Sequence, residues 1–194
     1  EAEAHGLRLQ YVNRSVYRQR DPKVYLDALS HFLEPHYWLP ERGTNQAGID
    51  GAGEIVDLLE QHNIEYDDLI VPLGTGGTMA GIAAKLGLGK TVTGICVLKG
   101  AEGIFRQIKE MIPGVRNWMI DHDGHCGGYA KCPPELKSFI LDFEVQTGIP
   151  LEPVYTAKMI SRMVELLKTP PDYQDRRVAW IHTGGLQGRR GVDL

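Results

Sequence analysis

The chain has 194 residues, 42% hydrophobic and 24% charged, with a formal net charge of −4, a composition that reads as one ordinary soluble globular domain, or one and a part. The slight negative balance offers nothing to nucleic acid or to an acidic membrane surface, and no run of about 18 apolar residues announces a transmembrane helix. No signal-peptide pattern opens the chain, and the three cysteines, Cys96, Cys126 and Cys132, make neither a disulfide framework nor a CxxC zinc site; they read as free thiols of a reducing cytoplasm.

Leu7–Val12 alternates weakly and predicts a short strand. Asp21-Pro22 marks a helix start, with Pro where its missing N–H costs little, and Val24, Leu26, Leu29, Phe32 and Leu33 follow at helical spacing. Tyr37–Leu39 reads as a short strand closed by Pro40. Glu41–Gly53 is Gly-rich and polar and predicts a crossover between domains, with a helix over Ala52–His62 behind it. Asp68–Leu73 is a continuous apolar run, a buried strand. A Gly/Thr loop at Gly74–Thr78 leads to a short helix over Met79–Leu86, then a second buried strand over Thr91–Leu98. Helix Ala101–Met111, strand Trp118–Ile120 and a Gly/His loop over Asp121–Pro134 come next. Helix Glu135–Gln146 has Leu136, Phe139, Ile140 and Phe143 inward, and helix Ala157–Leu167 has Ile160, Met163, Leu166 and Leu167 inward. Val178–His182 is a last buried strand. Strands alternating with helices predict an α/β fold: a parallel sheet in three layers, with helices on both faces.

The most informative segment is Val71-Pro72-Leu73-Gly74-Thr75-Gly76-Gly77-Thr78-Met79. A strand ends, small and hydroxylated residues turn the chain, and a helix begins. Glycines let backbone N–H groups converge, and the helix start adds unpaired N–H groups and the positive dipole end. Such a turn suits phosphate, with Thr75 and Thr78 as extra donors, at the usual ligand-binding edge of an open α/β sheet. It departs from the dinucleotide fingerprint, because Met79 stands at the third glycine position. Gly89-Lys90-Thr91 ends a loose Walker-like pattern, but it enters a strand rather than opening a helix, which argues against a nucleoside triphosphate.

Three more segments join that loop in one resemblance. Leu39-Pro40-Glu41-Arg42-Gly43-Thr44-Asn45, Gly148-Ile149-Pro150-Leu151-Glu152-Pro153-Val154-Tyr155-Thr156-Ala157-Lys158-Met159 and Ile181-His182-Thr183-Gly184-Gly185 resemble, in order, the segments of the D-cysteine desulfhydrase / 1-aminocyclopropane-1-carboxylate (ACC) deaminase family. The resemblance implies the tryptophan-synthase-β type of pyridoxal-phosphate (PLP) fold. It implies that residues 1–42 are a remnant of the small domain and 43–194 the PLP-binding large domain. It also implies a small amino-acid substrate, a cytoplasmic location and a homodimer when complete. By the same resemblance Gly74, Thr75, Gly76, Gly77 and Thr78 cradle the cofactor phosphate, Thr156 faces the pyridine nitrogen, and Tyr155 and Tyr129 are the active-site tyrosines. The deaminase branch resembles Glu at position 156; a Thr hydroxyl leaves the ring neutral and favours β-elimination, the desulfhydrase chemistry. Read from the residues alone, Tyr155 and Thr156 also fit a plain helix start with Thr156 as N-cap. His182 fits a core histidine, and His122 and His125 beside Asp121 and Asp123 fit a solvated loop rather than a metal site.

The chain departs from the family in two respects. The family's reactive lysine lies in an Asn-Lys context upstream, with a Ser-Asn-His further on, and neither string occurs here. The expectation is an N-terminally incomplete enzyme whose own lysines, such as Lys85, Lys90 and Lys158, match non-catalytic positions. Arg42 stands where the family more often resembles Gly. The rival readings are an ACC deaminase and a non-catalytic remnant that keeps a phosphate pocket.

Overall fold

The computed structural model describes residues 3–9, 11–19, 39, 43–168, 173–192 and 194. The Cα positions divide the chain into two compact units, Glu1–Glu41 and Arg42–Leu194. In the first unit a 3-10 turn at Glu3–His5 precedes helix α1 (Arg14–Gln19). The strand expected over Leu7–Val12 does not form among the described residues there. Leu7, Leu9, Tyr11 and Val12 are all exposed, and no neighbouring strand pairs with them, without which an extended segment has no ladder. The helix expected after Asp21-Pro22, most of the strand at Tyr37–Leu39, and Arg42 lie outside the described residues; Leu39 itself is exposed and in no strand.

The second unit opens with helix α2 (Gln46–Gln61), six residues before the sequence expectation. Asn45 adopts an extended conformation and its side chain accepts a hydrogen bond from Gly48 N at 2.8 Å, the N-cap arrangement that starts a helix. One of the glycines that suggested a loop, Gly53, serves helix packing instead. A Cβ on Gly81 would fall 2.1 Å from Ile49 O, and one on Gly53 would fall 3.1 Å from Gly81 O. The backbones of α2 and the next helix therefore approach where only glycine fits.

Four strands follow, β1 (Asp68–Leu73), β2 (Thr91–Cys96), β3 (Trp118–Asp121) and β4 (Val178–Trp180), all parallel, in the order β3-β2-β1-β4. Helices α3 (Gly77–Lys85), α4 (Ile104–Met111), α5 (Pro134–Thr147) and α6 (Thr156–Leu167) connect them. The apolar residues of β1 alternate between two cores: Leu69, Val71 and Leu73 join α2, α3 and α4 on one face, and Ile70 joins α5 and α6 on the other. The three-layer parallel α/β arrangement is thus the one the alternating pattern predicts. Two details differ. β4 is short and only partly buried, because it is paired on one side alone among the described residues. Leu167 is exposed at the end of α6 rather than inward.

The chain steps from β1 to β2 to β3 on one side, then returns with β4 on the other side of β1. The carboxyl ends of β1 and β4 therefore flank a topological switch point, the position at which open α/β sheets bind ligands.

Candidate functional site

The loop Gly74–Thr78 leaves β1 at that switch point and enters α3. Its pivot is Gly76, the N-cap of α3, which sits in the left-handed region at φ 90° and ψ −10°. A Cβ there would also lie 2.7 Å from Ile108 Cγ1. Both backbone conformation and the floor formed by α4 thus require glycine. Gly76 O accepts from Ala80 N at 2.8 Å, which starts the helix ladder; the first N–H groups of α3 have no acceptor within the helix. Thr44 Oγ1 and Thr75 Oγ1 share a hydrogen bond of 2.9 Å, and a Cβ on Gly77 would touch Thr44. The segment just before α2 therefore forms one wall of the loop. Gly74, Thr75, Gly77 and Thr78 are half-buried. Backbone donors, a dipole end and two hydroxyls make a set suited to a phosphate dianion.

The second group of residues gathers at the start of α6, which lies over β1 and β2 on the opposite face. Tyr155, not Thr156, is the N-cap, and the cap itself comes from Glu152. The Glu152 carboxylate is 1% exposed and accepts from Val154 N at 2.7 Å, Tyr155 N at 2.5 Å and Thr156 N at 2.6 Å. Three helix-start N–H groups converging on one carboxylate make charge-assisted bonds at the positive end of the dipole. The loop after β4 closes over this carboxylate: a Cβ on Gly185 would meet Glu152 Cγ at 3.6 Å, and one on Gly188 would meet its Oε2 at 3.3 Å. Thr156 is fully buried; its hydroxyl accepts from Glu152 N at 3.0 Å and donates to Glu152 O over a long 3.4 Å. Tyr155 is half-buried and Tyr129 half-exposed, and their rings meet edge to face at 6.1 Å and 72°.

Other residues singled out by the sequence are structurally engaged. His182 bridges Pro150 O at 2.9 Å and Gly184 N at 3.0 Å, so its Nδ1 accepts and its Nε2 donates. Asp121 receives Arg162 through Nε and Nη2 at 2.9–3.1 Å, and His125 Nδ1 accepts from Gly127 N at 3.0 Å. Lys90 lies 4.0 Å over the Tyr66 ring, and Lys85 pairs with Asp57. A groove of about 470 Å³ at the amino ends of β1 and β2 holds Asp68, Thr91 and Arg176. Those groups bind one another, and the groove runs on along β3 to Ile120 and Asp121.

Glu152, Lys158 and Thr44 were not singled out by the sequence reading as site residues. Glu152 and Lys158 are charged side chains in a segment that folding buries from Leu151 to Ile160 apart from Val154 and Tyr155, a burial the sequence pattern does not display.

No protein-family model matches the chain. A bifunctional D-cysteine desulfhydrase/1-aminocyclopropane-1-carboxylate deaminase of Arabidopsis thaliana, described as mitochondrial, is 28% identical over 94% of this chain and 51% of its own length. A D-cysteine desulfhydrase of Serratia proteamaculans is 26% identical over 85% of this chain and 56% of its own length. The chain thus spans about half the length of these curated relatives. The crystal structure of an ACC deaminase homologue superposes with a TM-score of 0.76 at 23% identity, over 97% of this chain and 62% of that one. No helix among the described residues is long and apolar enough to cross a membrane. In sequence over most of its length this chain is similar to D-cysteine desulfhydrases and ACC deaminases, and its fold is that of an ACC deaminase homologue.

Proposed function

We propose that the chain is the cofactor-binding part of a PLP-dependent lyase of D-cysteine desulfhydrase type, with residues 43–194 as part of the large domain and residues 1–42 as a remnant of the small one. The observation that carries the reading is the turn from β1 through left-handed Gly76 into α3 at the switch point. The donor set fits the phosphate of PLP, and glycine at 76 and 77 lets the turn lie close against Ile108 and Thr44. The N–H groups at the start of α3 and the hydroxyls of Thr75 and Thr78 would hold the phosphate, with Thr44 fixing Thr75. The Thr156 hydroxyl would give the pyridine nitrogen a neutral hydrogen bond in place of its long contact with Glu152 O. Bound PLP supplies an electron sink for a carbanion at the substrate α-carbon. Tyr129 and Tyr155 would face the substrate, their phenolic oxygens holding or moving a proton. Water and D-cysteine would give pyruvate, ammonia and sulfide, with a small D-amino acid as the substrate class.

Thr156 favours elimination over opening of a cyclopropane, because a neutral partner withdraws less charge than a carboxylic acid. An ACC deaminase is supported by the names of the relatives. No lysine here follows an asparagine, and Lys85, Lys90 and Lys158 are each held by a partner. The reading therefore leaves the cofactor-linked amine to polypeptide outside these residues and expects this chain alone to be inactive. The same observation supports a non-catalytic remnant that keeps the phosphate seat. A homodimer and a cytoplasmic location belong to the reading of the complete enzyme. Incubation with PLP, borohydride reduction and peptide mass mapping tests the assignment. Sparse labelling over surface lysines is expected, and one stoichiometric pyridoxyl-lysine at a single position would overturn it.

A further inference from the structure

Lys158 has no part in the chemistry above, yet it is fully buried, on the first turn of α6. Its Nζ donates to His125 O at 3.0 Å and to Gly128 O at 2.5 Å. No carboxylate is hydrogen-bonded to it among the described residues; Glu152, its acidic neighbour, is turned to the helix-start N–H groups. Burial pulls the amine below the ordinary lysine value. A cation so desolvated depends on the groups it donates to, here two backbone carbonyls.

They belong to the loop that carries Tyr129. Cys126, Gly127, Gly128 and Ala130 have φ of 47°, 91°, 129° and 55°. Four of the five residues from Cys126 to Ala130 are thus in the left-handed half of conformational space, two of them not glycine. Such a backbone persists only where surrounding contacts over-determine it. His125 O and Gly128 O each accept a turn bond as well, from Gly128 N at 3.0 Å and Lys131 N at 3.1 Å. Lys158 thus ties two successive turns to α6 at the points where they close. The start of α6 then fixes both tyrosines, Tyr155 through Glu152 and Tyr129 through Lys158.

We propose that Lys158 is a positioning residue that clamps the Cys126–Ala130 loop and holds Tyr129 against Tyr155, setting the geometry of the substrate side of the site. The substrate part rests on the reading that these tyrosines face substrate; the clamp does not. The test uses the full chain labelled with 3-fluorotyrosine, with Tyr129→Phe and Tyr155→Phe assigning the lines. In Lys158→Met the ¹⁹F lines of Tyr129 and Tyr155 are expected to move or broaden, while those of Tyr66 and Tyr173 hold. Amides from His125 to Lys131 should exchange about tenfold faster or more, as when a charge-assisted hydrogen bond is lost from a locally opening segment. Unchanged Tyr129 lines and loop exchange in a folded variant would overturn the proposal. Where the variant loses the Tyr66 line and does not fold, the unsubstituted protein decides. Nuclear Overhauser contacts between the Lys158 ε-protons and the α-protons of His125 to Gly128 are expected, and their absence overturns the clamp. Failure of the functional reading is seen elsewhere, as no response of the Gly76–Thr78 amides to PLP, and leaves the clamp result standing.

Discussion

Gly76→Ala isolates the element on which the site depends. Two separate effects are expected. An alanine held at φ 90° meets a left-handed penalty of roughly 1–2 kcal/mol. Its Cβ would stand 2.7 Å from Ile108 Cγ1 and 3.1 Å from Ile108 Cδ1, and Ile108 is fully buried in the core under α4, so relief by side-chain movement adds roughly 1–3 kcal/mol. The sum, about 2–5 kcal/mol, is a large share of the roughly 5–15 kcal/mol that holds a domain folded. Urea unfolding followed by circular dichroism should show the midpoint falling by about 1 M or more with an unchanged slope. Ile108→Ala removes the clashing atoms and by itself leaves a cavity of about 2–5 kcal/mol. In that background Gly76→Ala should cost only its backbone part, giving a coupling of roughly 1–3 kcal/mol in the double-mutant cycle. A Gly76→Ala cost below about 0.5 kcal/mol would refute the conformational argument, and an equal cost in both backgrounds would refute the steric one.

Glu152→Gln should destabilise the protein by about 1–3 kcal/mol in the same unfolding assay, because a buried anion that accepts three helix-start N–H groups becomes a neutral amide; no measurable change would mean the cap is dispensable. Thr44→Val removes the 2.9 Å hydroxyl pair with Thr75, and the loss of about 0.5–1.5 kcal/mol should weaken PLP roughly twofold to tenfold while leaving phosphate-free pyridoxal unaffected. Asp67 offers a pH test: the Arg177 guanidinium, with Arg177 N also donating at 2.8 Å, holds its carboxyl at about 2 against an ordinary 3.8. Because the folded value is the lower one, this pair stabilises the fold above pH 3.8 and loses that effect as the pH falls to about 2. Arg177→Ala should return the NMR midpoint of Asp67 toward 3.8, and a midpoint left near 2 would show that another group lowers it.

The strands at Asp68–Leu73 and Thr91–Cys96 were legible because a parallel strand covered on both faces is a continuous apolar run, whatever its neighbours. The phosphate turn was legible for a related reason: a strand end, glycines and a helix start follow one another in sequence. The start of α2 was not. Gly48, Gly51 and Gly53 argue locally for a loop, and only the backbone of Gly81, nearly thirty residues on, shows why glycine at 53 suits a helix. Leu7–Val12 failed in the opposite direction, since alternation proposes a strand but a partner makes one. At α6, position 156 looked like the cap by residue type. The cap came instead from Glu152, whose longer side chain reaches the helix start from four residues upstream. Lys158 was passed over because a lysine in sequence reads as solvated, and its burial depends on carbonyls thirty residues earlier.

The central claim is that the turn at Gly76 seats the phosphate of PLP. The direct measurement is the ¹H–¹⁵N spectrum of the chain titrated in parallel with PLP and with pyridoxal. Saturable shifts are expected at the amides of Gly76, Gly77 and Thr78 with PLP and not with pyridoxal. Equal responses to both compounds, or none at these amides, would contradict it.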